Sequence, residues 1–221
     1  MDMKEAIRER HSVRAFTDQK IDGETEAQLR EAIEECNKES GLHIQLCLNE
    51  PNAFQASQPH YGKFQNCRNY FAVVAKPGDD EKCGYYGEKL VLLAQTLGLN
   101  TCWVALTYKK KEAVYQCDPG ERLRIVIAVG YGQTQGTPHR SKYVGRLYTC
   151  MDGLEDWGEE GMEYALMAPT AINQQSFRFR VQDDEVSAWA KPTLAGNTKI
   201  DLGIVKLHFE IGAGKENFHW V

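Results

Sequence analysis

Apolar residues fall into short periodic stretches separated by polar, turn-forming ones. From Asp2 to Arg10, Met3, Ala6 and Ile7 share one helical face. Thr25 and Gln28 have capping-box spacing, and Leu29, Ala32, Ile33 and Cys36 follow at helical intervals, which predicts a second helix. Leu42, Ile44, Leu46 and Leu48 alternate with more polar neighbours, as in a strand. The segment from Pro51 to Asn66 is polar and turn-rich and reads as a surface or functional loop. Tyr70 to Ala75 is a continuous apolar run closed by Lys76-Pro77-Gly78, the pattern of a buried strand. The clearest helix runs from Gly84 to Leu97, with Leu90, Leu93, Ala94 and Leu97 in one stripe and Gly98 as its C-terminal cap. Strands are predicted at Thr101 to Leu106 and Arg124 to Val129. The resulting order is helix, helix, strand, strand, helix, strand, helix, strand, a mixed α/β pattern that wants a sheet covered by helices.

Residues 132–157 carry aromatics at Tyr143 and Tyr148 but no sustained period, and read as a long connection. Beyond it, Glu160 to Ala168 looks helical, and Phe177, Phe179 and Val181 alternate with arginines in a strand pattern. Asp201 to Ile211 is a last helix, with His208 packed into its apolar pattern. The stretch from Gly87 to Gly98, with Trp103 after it, is echoed by Gly203 to Gly214, with Trp220 after it. The unit at 25–48 likewise resembles 160–181. These echoes read as a weak, truncated internal repeat, with coincidence among common α/β units as the alternative.

Composition narrows the function. The 221 residues are 42% hydrophobic and 26% charged, an ordinary globular balance with enough chain to bury a core. A net charge of -5 argues against a nucleic-acid partner. The longest apolar run is far short of a membrane span, and the charged N-terminus lacks a signal-peptide core, so no membrane association and a cytoplasmic location are expected. The seven cysteines form no C-x-x-C pair, which fits free thiols in a reducing compartment. The six histidines form neither H-x-x-H nor H-E-x-x-H, so no metal site is expected. Gly130-Tyr-Gly132-Gln-Thr-Gln-Gly136 follows a strand but leads into Thr137-Pro138-His139 rather than a helix, which removes a dinucleotide fingerprint.

Two stretches are dense in groups that bind ligands. Arg10-His11-Ser12-Val13-Arg14-Ala15-Phe16 places two guanidinium forks and a hydroxyl within five residues, enough to grip a phosphate; a charged helix end is the plainer reading. Ala168-Pro169-Thr170-Ala171-Ile172-Asn173-Gln174-Gln175-Ser176-Phe177 leads from a helix through amides and hydroxyls into a strand. Such side chains can hydrogen-bond the edge of a planar heterocycle, or simply form a capped polar turn.

Together these stretches carry a family resemblance. Arg10 to Phe16 resembles the R-x-S-x-R-x-F signature of the nitroreductase family, the FMN-dependent NAD(P)H oxidoreductases. Residues 168–177 resemble its A-P-S-x-x-N-x-Q-P-W segment, with Ser176-Phe177 in place of Pro-Trp. Leu97-Gly98-Leu99 with Thr101-Cys102-Trp103 resembles its G-L-G-x-x-W stretch, and Arg124 to Gly132 followed by Arg140 resembles its strand-to-phosphate-arginine region.

The resemblance implies an α+β fold with a mixed, mainly antiparallel central sheet flanked by helices. It implies FMN as cofactor, NAD(P)H as co-substrate, and an electron-poor small-molecule acceptor such as a nitroaromatic or quinone. By residue, Arg10, His11, Ser12, Arg14 and Arg140 would hold the phosphate. Pro169, Thr170, Asn173 and Gln175 would border the ring, Ala105 or Leu106 would present a backbone N–H to it, and Lys63 would face its pyrimidine edge. Leu106 stands where the family often has Gly. In the usual family order the ring-bordering segment follows the second helix; here that place holds Asn37 to Leu42 and the segment arrives at 168–175. This implies a variant with two halves, 1–150 and 151–221, the second a truncated copy completing one site, as a monomer that imitates the family dimer; a homodimer is the alternative. A flavin-binding protein without turnover, or a plain α/β interaction protein, are the rival functions.

Overall fold

In the computed structural model, which describes residues 1–55, 62–150 and 153–221, the elements run α1 (Met3–Glu9), α2 (Gly23–Ser40), β1 (His43–Cys47), β2 (Tyr70–Ala75), α3 (Asp80–Thr96), β3 (Asn100–Val104), β4 (Arg122–Gly130), β5 (Tyr148–Cys150), α4 (Asp156–Met167), β6 (Phe177–Gln182), β7 (Glu185–Ala190), α5 (Thr198–Ala213) and β8 (His219–Trp220). The fold is α+β. One sheet has the order β1-β2-β4-β3, antiparallel throughout, with Ile44 opposite Val73, Ala72 opposite Val126 and Trp103 opposite Ile127. The second has the order β5-β6-β7-β8, with an antiparallel β6–β7 hairpin between parallel pairs at its edges.

The unbroken apolar run of β2 follows from its position. Phe71, Val73 and Ala75 enter the main core beneath the helices, while Tyr70, Ala72 and Val74 enter a second core with Val13, Phe16 and Phe54. Because strand side chains alternate between faces, a strand covered on both sides has no polar position to spare.

The main core is organised by α3 and α5, which cross at glycines. A methyl group on Gly84 would lie 1.9 Å from the Ile200 carbonyl oxygen, and one on Gly203 would lie 1.9 Å from the Glu81 carbonyl oxygen. Each glycine thus meets the residue three before the other, the reciprocity of a local twofold relation. The sequence echo aligns Gly203 with Gly87; the crossing pairs it with Gly84, nearly one turn earlier, because backbone contact and not the later Gly98/Gly214 match sets the register.

Several sequence expectations are corrected. The Thr25–Gln28 capping box does not form: α2 starts at Gly23, its cap Asp22 makes no side-chain hydrogen bond, and Gln28 Nε2 instead donates to Glu24 Oε1 at 3.0 Å. The helix expected between β3 and β4 is only a 3-10 turn at Lys110–Glu112. The connection at 132–157 contains β5, and the second half has a hairpin where one strand was expected. The 150/151 boundary adjoins residues outside the described ones, as does part of the loop expected at 51–66. Among the described residues no helix is long and apolar enough to cross a membrane.

Candidate functional site

The stretch after α1 leaves the helix at Arg10 and runs beside β3, with Ser12 bridging Thr101 and the Val13 N–H donating to the Thr101 carbonyl at 3.0 Å. Extended backbone has a side-chain period of two, so Arg10, Ser12 and Arg14 share one side while Val13 is buried on the other. That geometry accounts for the R-x-S-x-R spacing.

These side chains line a cavity of about 380 Å³, a size within the usual range of about 300–1,000 Å³ for small-molecule sites. Its lining includes Arg10, His11, Ser12 and Arg14, joined by Thr137 and His139 from the loop after β4. The turn after α4 contributes Pro169, Thr170 and Asn173. Ala105 and Leu106 follow β3 into the wall, and Trp103, Ile125, Ile200 and Ile204 make it apolar. Leu106 is 89% exposed.

Arg10 is only 3% exposed, yet its Nε has no hydrogen-bond partner. Its nearest countercharge is Glu88 of α3, with Nε 3.7 Å from Oε1. Burial works against the Arg10 charge, and Glu88 partly restores it. Glu88 is itself fully buried: its Oε2 accepts from Trp103 Nε1 at 2.8 Å, and its Oε1 lies 2.9 Å from His208 Nε2. The other ring nitrogen of His208 lies 3.2 Å from the Tyr164 carbonyl oxygen. A guanidinium that is 3% exposed and lines the cavity beside a hydroxyl and a second guanidinium forms a donor set suited to an anion. Burial and the neighbouring Arg10 charge also push His11 below the ordinary histidine range.

The turn after α4 keeps donors and acceptors for a ligand. Thr170 Oγ1 accepts from the Gln175 N–H at 3.0 Å, which leaves its own proton free. Asn173 donates to the Arg140 carbonyl at 2.8 Å and accepts from Gln175 Nε2 at 2.6 Å, leaving one N–H and one lone pair.

Of the expected residues, nine meet at this cavity: Arg10, His11, Ser12, Arg14, Ala105, Leu106, Pro169, Thr170 and Asn173. Three do not line it. Gln175 is 1% exposed and spends its amide on the connection after β4, donating to the Arg140 carbonyl at 2.9 Å and accepting from the Lys142 N–H at 2.7 Å. Arg140 contributes that carbonyl while its side chain is exposed, and His139 enters the wall instead. Lys63 is exposed outside the lining, which its neighbour Phe64 joins instead.

Sequence reasoning missed Glu88, His208 and Asp201. Asp201 lies in the first turn of α5, 5% exposed, in the cavity wall. Burial pushes its carboxyl up to about 6, against hydrogen bonds from Gln174 and the Ala171 N–H that pull it down. A lone Asp opening a helix reads as dipole complement, so no motif marked it. Glu88 did leave a signal: it shares the buried stripe of α3 with Gly84, Val91 and Gln95. His43, Asp118 and Glu121 also converge within 4.8 Å, but Glu121 Oε2 there already pairs with His43 Nδ1 at 2.9 Å and accepts from the Asp118 N–H at 3.0 Å.

The chain matches the family described as "Putative TM nitroreductase" over residues 2–213, and it belongs to that family. Its fold is similar to that of a Thermotoga maritima protein described as a putative nitroreductase, at TM-score 0.71 and 20% identity, covering 98% of this chain and 85% of that one. A Parabacteroides distasonis protein described as a putative NADH dehydrogenase/NAD(P)H nitroreductase gives TM-score 0.52 and 17% identity, covering 69% of this chain and 98% of the other. A Desulfovibrio desulfuricans protein, described as a putative nitroreductase in complex with FMN, gives 0.51 and 18% over 66% and 95%. No curated protein matches.

Proposed function

We propose that the chain is an FMN-dependent oxidoreductase that moves a hydride from NAD(P)H to an electron-poor small molecule, a nitroaromatic or quinone. The observation that carries this reading is Arg10, 3% exposed in the lining of a cavity that also holds Ser12, Arg14 and the 169–173 turn. The donor set fits FMN: guanidinium groups and a hydroxyl suit a dianionic phosphate, and apolar walls with a few polar groups suit a planar ring. FMN bound there would supply the two-electron chemistry. Arg10, Ser12 and Arg14 bind the phosphate, with His11 beside them. Glu88 keeps the Arg10 charge in place from beneath. Thr170 and Asn173 orient the ring edge, and the side chains of Trp103, Ile125, Ile200 and Ile204 exclude water. The Desulfovibrio protein of similar fold, described as in complex with FMN, supports FMN as the cofactor.

The finer organisation proposed is a chain of two halves, 1–150 and 151–221, with one site between them and a monomeric state. Supporting it, the order α2-β1-β2-α3-β3 is followed, after β4 and β5, by α4-β6-β7-α5-β8, and the two halves cross at Gly84 and Gly203. The Arg-x-Ser-x-Arg stretch occurs once, so the second half completes a site and cannot build another. The alternative state is a homodimer exchanging the 168–175 turn. The test of function is the visible spectrum after incubation with FMN, then anaerobic addition of NADH or NADPH. A bound flavin that bleaches supports the enzyme; a bound flavin that does not bleach supports a carrier; no binding removes both.

A further inference from the structure

We propose that Asp201 is a positioning residue, its carboxylate holding the left-handed turn at 170–175 in the shape that forms one wall of the cavity. The inference rests on reading that cavity as the flavin site.

The turn is strained. Ile172, Asn173 and Gln175 have φ of 47°, 55° and 41°, a left-handed conformation that non-glycine residues avoid. Three such residues within four positions persist only where the surroundings over-determine them. Bonds within the turn, from Gln175 to Thr170 and Asn173, and bonds to Arg140 and Lys142 supply part of that restraint. Asp201 supplies the part that comes from α5: Oδ1 accepts from the Ala171 N–H at 2.9 Å and Oδ2 accepts from Gln174 Nε2 at 2.6 Å. One carboxylate thereby holds the residue before the strained run and one within it. Its platform is rigid, because α5 is locked against α3 at the glycine crossing two residues further on.

The other half makes the same device with opposite polarity. Lys82 stands two residues before Gly84 as Asp201 stands two before Gly203. Its Nζ donates to the Ser40 carbonyl at 3.2 Å, at the end of α2. There the chain turns at once through Gly41 into β1, so one donor on one carbonyl suffices. The turn after α4 is longer and offers N–H groups, which need an acceptor with two oxygens. A neutral amide cannot accept both bonds in the same way.

The carboxylate is also costly to the fold. It is 5% exposed, and among the described residues no Lys or Arg pairs with it.

Hydrogen exchange on the ligand-free protein tests the restraint. In Asp201→Ala, exchange of the 168–176 segment should accelerate tenfold or more while β2 is unchanged; Asp201→Asn, which keeps one acceptor, should fall between. Equal exchange in wild type and both variants overturns the proposal. Titration with FMN and riboflavin then tests the wall. Asp201→Ala should weaken both by a similar factor of about ten, whereas Arg10→Ala should weaken FMN far more than riboflavin. Wild-type affinity for both ligands in Asp201→Ala, despite a loosened turn, overturns the positioning role. If wild type binds neither ligand, the flavin reading fails, and the exchange rates alone decide whether Asp201 holds the turn.

Discussion

Gly84 and Gly203 touch reciprocally: each lets the other's helix approach until backbone meets backbone, with no room for a single methyl on either side. The crossing brings the 200–204 face of α5 into the cavity and sets His208 against Glu88. Gly84→Ala and Gly203→Ala must push the helices apart. Overpacking a core costs about 1–3 kcal/mol and more where backbone is the obstacle. Both variants should lose at least that much in urea unfolding and should also lower flavin affinity. Wild-type stability in either would contradict the crossing.

Arg10→Ala removes an anion ligand and strips Glu88 of its nearest cation. Charge-assisted contacts contribute about 1.5–3 kcal/mol, so FMN affinity should fall tenfold or more. Riboflavin affinity should change little. The melting temperature should also fall, because Glu88 stays buried with only Trp103 and His208 as partners. FMN affinity equal to wild type would remove Arg10 from the phosphate site.

The Asp201 carboxyl, ordinarily near 3.8, is raised to about 6 in the folded chain. The folded state therefore binds this proton more tightly than the unfolded state. The stability that follows is fully present below pH about 4 and is lost as pH rises through about 6, by about 2–3 kcal/mol in total. Asp201→Asn does not titrate. Its melting temperature relative to wild type should rise between pH 4 and pH 7. A flat or opposite trend would show that the carboxyl is not held in a desolvated place.

The cysteines are not expected to take part in turnover. Cys117 is exposed, whereas Cys36, Cys47, Cys67, Cys83 and Cys102 are buried. Burial pushes Cys36 and Cys47 up to about 11 and Cys83 to about 12, which leaves little thiolate at neutral pH. Alkylation under native conditions should modify Cys117 quickly and leave most of the NAD(P)H-dependent activity. Complete loss, prevented by bound acceptor, would place a thiol in the site.

How much of this was legible in sequence depended on what burial does to a pattern. The strand at Tyr70–Ala75 announces itself because both of its faces are covered. The strands at Tyr148–Cys150 and His219–Trp220 are three and two residues long, too short for any period, and Glu185–Ala190 is a half-buried inner strand whose burial does not alternate. At the site, Arg10, Ser12 and Arg14 were picked out by the resemblance to a family signature; spacing alone left a charged helix end as the plainer reading, because nothing in the sequence shows that the chain leaves the helix at Arg10 and runs on extended. Gln175 was misplaced because a motif names a residue without saying whether its amide faces a ligand or its own turn. Asp201 and Glu88 act through partners 15 or more residues away, a relation that spacing does not encode.

The central claim is that one chain builds one complete flavin site from its two halves. Light scattering on the FMN-loaded protein, with flavin absorbance recorded across the same peak, tests it most directly. The account predicts a concentration-independent mass near the 25.0 kDa of the chain with one flavin bound. A mass of about twice that, unchanged on dilution, would mean that a second chain supplies the turn at 168–175, and a peak with no flavin would contradict the site itself.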